Sequence, residues 1–164
     1  MAFVAHSRAS EDRTGAWALT ELNPVRQAKL GDEMHMLAIA QDAYPPFDAN
    51  AALEWARSRI ALPDMGFFFT DDAFGISSFS APFNDPNNPS GYLIFLGARR
   101  NAGVWSAYRV LKRMLLWAQD NGCSRYIFQP REDMSQLEVF ARRLKGNILR
   151  PTYSVPLKNG DVHG

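Results

Sequence analysis

The chain predicts an α/β fold on a mixed sheet, and three observations carry that prediction. Two runs rich in Phe and Ile, Gly66 to Thr70 and Phe74 to Ala81, flank the short polar stretch Asp71-Asp72-Ala73, as the strands of an antiparallel hairpin would. An apolar run, Tyr92 to Leu96, leads through a glycine-containing turn into a long stripe of apolar residues at helical spacing. Strand-like and helix-like segments alternate through most of the 164 residues, which places helices against a sheet.

Residues 1–14 carry Ser7, Ser10, Glu11, Asp12 and Arg13 without periodicity and read as a flexible arm; the domain is expected over residues 15–157. Trp17 to Leu22 alternates as a first strand. A helix from Asp32 to Ala43 follows from Met36, Leu37, Ile39 and Ala40, and Tyr44-Pro45-Pro46 stops it. Asp48 or Asn50 caps a second helix with Leu53, Trp55, Ala56 and Ile60 on one side, closing at Leu62-Pro63. In the hairpin, Phe67, Phe68 and Phe69 stand in succession, so both faces of that strand must be covered.

Pro82 to Ser90 holds three prolines and three asparagines and stays irregular before the strand Gly91 to Leu96. The next helix, Val104 to Asn121, sets Val104, Ala107, Tyr108, Leu111, Leu115 and Ala118 on one stripe, with Gly122 as its left-handed stop. Trp105, Tyr108 and Trp117 read as core residues of this helix. Arg125 to Gln129 is a short strand ended by Pro130. Ser135-Gln136-Leu137-Glu138 has capping-box spacing and opens a helix that buries Leu137, Phe140, Ala141 and Leu144 and ends at Gly146. Ile148 to Leu157, broken by two prolines, is an edge strand, and residues 158–164 form a tail.

Eighteen basic against 17 acidic side chains leave a net charge of +1, which gives no global field for nucleic acid or an anionic membrane. Nucleic-acid binding is therefore not expected. The basic sets Arg109, Lys112, Arg113 and Arg142, Arg143, Lys145 read as solvated helix faces. Cys123 is the single cysteine, and no Cys/His spacing suits zinc, so neither a disulfide nor a metal is expected and the compartment is taken as the cytoplasm. No apolar run approaches the length of a membrane span. Cys123 reads as a small residue at a helix exit, and His35 as a half-buried structural residue.

Anion recognition, if present, has to be local, and Arg99-Arg100-Asn101-Ala102-Gly103-Val104-Trp105 is the place for it. A turn that opens a helix aims unpaired N–H groups at one point, and the arginines add positive charge there. The expected ligand is a pyrophosphate.

Element order and this turn together resemble the GNAT superfamily of acyl-CoA-dependent N-acyltransferases. The family's turn runs Arg or Gln, two residues, Gly, one residue, then Gly or Ala; Arg100 and Gly103 match it, whereas Trp105 replaces the small final residue. The resemblance implies a single domain with a mostly antiparallel central sheet flanked by helices. It implies acetyl-CoA as the acyl donor, with Phe95 and Leu96 bordering the pantetheine arm along a fourth strand that diverges from the fifth. Arg99, Arg100, Asn101, Ala102, Gly103, Val104 and Trp105 would then surround the phosphates. Trp105 could crowd the helix's first turn or face outward and stack on adenine.

Many members of that superfamily carry a tyrosine four residues before the glycine closing the last helix, where it protonates the departing thiolate. Here that position is Arg142, and the neighbouring aromatic, Phe140, has no proton to give. Tyr126 and Tyr153 are the substitutes. Attack needs a neutral amine and a donor to the oxyanion, expected from backbone near Leu96, with Glu54, Asp71, Asp72 or Asp85, or a water chain, as the base. Two readings follow from the resemblance: an N-acetyltransferase acting on a small-molecule or protein amine, or a non-catalytic binding or assembly module, such as a phage host-takeover factor or virion component. A protein partner or homodimer is compatible with either.

Overall fold

The computed structural model describes residues 24–44, 47–128, 135–143 and 145. The arm, the strand at Trp17 to Leu22, the strand at Ile148 to Leu157, the tail and Tyr153 lie outside them. In chain order the elements are β1 (Arg26–Gln27), α1 (Glu33–Ala43), α2 (Ala49–Arg57), β2 (Met65–Phe69), β3 (Ala73–Ser80), β4 (Ser90–Ala98), α3 (Val104–Asp120), β5 (Arg125–Ile127) and α4 (Ser135–Arg143). The chain divides into two compact units, Met1–Gln129 and Pro130–Gly164; α4 is the described element of the second.

The fold is mixed α/β. The five strands form one sheet in the order β1-β2-β3-β4-β5, antiparallel throughout except for the parallel pair β4–β5. The hairpin closes through Thr70, whose N–H donates to the Ala73 carbonyl at 2.8 Å and whose hydroxyl donates to Asp72 Oδ1 at 2.8 Å. The polar pair Asp71-Asp72 is thus turn chemistry, as its composition predicts. β1 was not anticipated: two residues, Arg26 and Gln27, pair with Phe69 and Phe68, too few to leave a period in the sequence.

The triple phenylalanine explains why helices cover both faces. Phe67 and Phe69 join the cluster formed with Met36, Ile39 and Ala40 of α1 and Ala56 of α2. Phe68 points the other way, its ring 5.9 Å from that of Trp117 on α3. All three are buried, and each contributes about 1.5–3 kcal/mol by leaving water. The first two helices match expectation, with Asp48 Oδ1 accepting from the N–H groups of Asn50 and Ala51 as the cap of α2; that helix ends at Arg57, earlier than the Leu62-Pro63 boundary expected.

The buried stripe of α3 differs from the one read from spacing. Val110, Met114 and Trp117 are buried beside Ala107, Leu111 and Ala118, whereas Leu115 is only half-buried and Trp105 is 53% exposed. The reason lies in β3. Gly75 leaves a hollow under the helix, and a Cβ built there would stand 2.5 Å from Met114 Sδ and 2.9 Å from Val110 Cγ1, so these two side chains seat the helix and turn Trp105 outward. Gly122 ends α3 at φ +78°.

Gly75→Ala should therefore destabilise the protein by about 1–3 kcal/mol through overpacking against α3. Urea unfolding measures it; an unchanged midpoint would show that α3 can slide away from the sheet at no cost.

Candidate functional site

β4 is nine residues long, but β5 pairs with only its first three: Ser90, Gly91 and Tyr92 face Arg125, Tyr126 and Ile127. From Leu93 to Ala98, no described strand lies on that edge of β4. Within this stretch the ladder to β3 slips: Ile76 faces Phe95 and Ser77 faces Leu93, which leaves Ile94 without a partner. A residue bulged out of the ladder twists the strand and re-aims neighbouring side chains. Ile94 is 44% exposed. The sequence reading placed an oxyanion donor near Leu96; the irregularity that frees backbone lies two residues earlier.

Beyond Ala98 comes the turn. The Arg99 N–H donates to the Asp72 carbonyl (2.8 Å), the Arg100 N–H to Asp42 Oδ2 (3.0 Å) and the Ala102 N–H to the Arg99 carbonyl (2.9 Å). Those of Asn101 and Gly103 make no hydrogen bond among the described residues. Gly103 is the N-cap of α3, provides no side-chain cap, and would present a Cβ to open space. Of the residues expected around a pyrophosphate, the structure brings two partner-free amides and the Arg99 and Arg100 side chains to one exposed turn, while three amides are already used. Trp105 does not crowd the helix's first turn: its ring lies edge-on to Tyr108, centroids 5.6 Å apart, and half of it meets solvent. The expectation that it belongs to the core is corrected on that ground.

On the α1 and α2 face of the sheet lies a cleft of about 370 Å³, walled by Met36, Ala40, Trp55, Phe74, Ile94 and Phe95. It runs from the first turn of α1 to the bulge of β4. Its one charged wall residue is Glu33, which is 5% exposed and accepts the Gly31 N–H at 2.8 Å through Oε2. Sequence reasoning missed Glu33, although the signal was present: it precedes Met36, Leu37 and Ala40 by three, four and seven positions, a carboxylate on the apolar stripe of a helix.

The expected bases lie elsewhere. Asp71 pairs with Arg26 at 2.9 Å, Asp72 accepts from the hydroxyls of Thr70 and Ser106, and Glu54 and Asp85 are exposed and absent from the cleft wall. His35 Nε2 lies 3.3 Å from the Thr70 carbonyl with its ring against Phe69, a structural placement. Burial pushes the Cys123 thiol up, which keeps it unreactive.

Tyr126, one substitute for the absent general acid, is held inside the sheet. Its hydroxyl is 2.8 Å from Ser77 Oγ, and the single Ser77 proton goes to the Tyr92 carbonyl at 3.2 Å, so the phenol proton is committed to Ser77. Burial raises the Tyr126 pKa well above the ordinary tyrosine value. Such a phenol holds its proton rather than delivering it.

No known family's sequence pattern and no curated protein matches the chain. Solved structures do. AAC(6')-Iy, in complex with the bisubstrate analogue CoA-S-monomethyl-acetylneamine, superposes with a TM-score of 0.69 at 13% identity, over 83% of this chain and 98% of that one. The chain has the GNAT acetyltransferase fold. The aminoglycoside 6'-N-acetyltransferase AAC(6')-IG from Acinetobacter haemolyticus gives 0.65 at 14% identity, over 82% of this chain and 98% of the other. A predicted acetyltransferase from Clostridium acetobutylicum, solved with acetyl-CoA, gives 0.63 at 11% identity, over 87% and 99%. At such identities the likeness establishes an acetyltransferase scaffold, and no helix among the described residues is long and apolar enough to cross a membrane.

A raised tyrosine pKa ties stability to pH with a definite sign. The stabilisation from protonated Tyr126 is complete below about pH 10 and is lost as pH rises from there toward its higher folded-state value. Spectrophotometric titration should show one tyrosine ionising only as the protein unfolds, absent in Tyr126→Phe; a wild type that titrates every exposed tyrosine normally and leaves none for unfolding would contradict the assignment.

Proposed function

We propose that the protein transfers an acetyl group from acetyl-CoA to a small-molecule amine. The observation that carries this reading is the edge of β4 from Leu93 to Ala98 that no described strand covers, bulged at Ile94 and ending in a turn whose Asn101 and Gly103 amides have no partner among the described residues. An extended chain carrying amides can add to such an edge as a strand would. An anion suits the turn, which opens α3, carries those two amides and includes Arg99 and Arg100, although the Arg99 Nε already donates to the Asp71 carbonyl at 3.3 Å. Structural neighbours that hold CoA or acetyl-CoA support the assignment.

The residues present fit that group. Phe95 and Leu96 would border the pantetheine arm, and Arg99 through Trp105 would surround the phosphates, with exposed Trp105 offering aromatic surface to adenine. Bound acetyl-CoA would supply an acyl carbon activated by its thioester. The protein's part is to align the amine with that carbon and to meet the developing oxyanion with backbone N–H near the bulge. No side chain among the described residues stands in place as a general acid, and Tyr153 lies outside them.

That same vacancy favours a second reading, a CoA-fold module that binds or assembles without transfer. The two part on one measurement. Titration calorimetry with acetyl-CoA should show saturable binding, and thiol release should follow on adding an amine; binding without release selects the module, and no heat from either acetyl-CoA or CoA removes the donor altogether.

Gly103→Asp should weaken acetyl-CoA binding at least tenfold, since it sets a negative charge beside the turn's free amides, roughly 1.4 kcal/mol or more. The melting temperature should hold, because the new side chain enters open space. Unchanged affinity in a folded variant would move the phosphates away from this turn.

A further inference from the structure

We infer that the acceptor is an α,ω-diamine with a hydrocarbon stem, one ammonium resting on Glu33 and the opposite nitrogen delivered to the bulge of β4. The inference rests on the acetyl-transfer reading and adds the substrate class to it.

Three observations converge. The cleft wall is apolar except for Glu33, so a polar sugar would be stripped of water there without compensation. Glu33 is nineteen-twentieths buried, yet among the described residues it forms no ion pair and only one hydrogen bond, the one to Oε2 from Gly31. No side-chain oxygen among them is both fully buried and unpartnered, so Oε1 keeps some exposure, and Glu33 is part of the cleft wall. A carboxylate on the wall of an otherwise apolar cleft selects a cation carried on an apolar body.

The ends of the cleft decide between one charge and two. Glu33 opens α1, whereas Phe95 sits by the end of that helix, its ring 5.7 Å from Tyr44. The reacting nitrogen has to be near Ile94 and Phe95, on the edge of β4 that no described strand covers, and the nitrogen held by Glu33 is therefore a different one. Within the cleft wall, Glu33 to Ala40, the last residue of α1 that lines it, spans about 10 Å along the helix, which about six to eight methylenes would bridge. In the reaction the uncharged nitrogen forms a C–N bond to the thioester carbonyl carbon and the C–S bond breaks. The sulfur leaves as a thiolate and takes up one proton while the new amide nitrogen releases one. Glu33 is a binding residue in this scheme and keeps its partner ammonium throughout.

The test is calorimetry on the full chain with diaminoalkanes of three to ten carbons, each beside the monoamine of equal length, with acetyl-CoA titrated separately. Diamines of about six to eight carbons should bind best, and about tenfold more tightly than their monoamine counterparts. Glu33→Gln, which keeps the bond to Gly31, should erase that advantage and leave acetyl-CoA binding intact. Ala52→Phe, which fills the cleft, should weaken diamines and monoamines alike. Equal affinity for diamines and monoamines, or a Glu33→Gln variant that still prefers diamines, overturns the inference while acetyl-CoA binding keeps the transfer reading. Diamine binding without acetyl-CoA binding does the reverse. Tighter binding of octanoyl-CoA than acetyl-CoA, insensitive to Glu33→Gln but lost in Ala52→Phe, would assign the cleft to the acyl chain and also overturn the diamine.

Discussion

Burial of β2 and β3 on both faces is the constraint from which the rest of the molecule follows. Phe67, Phe68 and Phe69 send large rings to both sides of one strand, so helices must be laid on both sides. α3 takes one face because Gly75 leaves room for Met114 and Val110. α1 and α2 take the other, where the rings of Phe67, Phe69 and Phe74 form their floor. The covering is incomplete toward β4, and the space left between the two helices and Ile94 and Phe95 is the cleft.

The same strands set the open edge. β4 pairs fully with β3 but only briefly with β5, and its bulge lies just past the point where the β5 pairing ends. Among the described residues, β4 is thus left uncovered on that side over only part of its length. Asp42, near the end of α1, holds the Arg100 amide and links the helix beside the cleft to the turn at the end of β4. Cleft, strand edge and turn are therefore neighbours along one face, although their residues are scattered between positions 33 and 105.

The hairpin, the polar turn at Asp71-Asp72, the cap at Asp48 and the long helix stopped by Gly122 were all legible, because each is a local matter of period, cap or backbone freedom. The turn from Arg99 to Trp105 was legible as well, since a strand followed by Arg, Gly and a helix stripe lies within a few residues. What misled was rotation. Spacing on α3 fits two stripes nearly equally well, and the hollow at Gly75, some 35 residues away, chooses the one that buries Val110, Met114 and Trp117.

The chain by itself determined an α/β plan, its hairpin and the turn between β4 and α3, because those signals reside in adjacent residues. Only tertiary structure decided that Tyr126 is locked to Ser77, that the pairing of β4 with β5 ends at Tyr92, and that Glu33 stands on the wall of an otherwise apolar cleft. Each of these depends on residues far apart in sequence meeting in space, and no local period records which face of a helix will be roofed or which hydroxyl will find a partner.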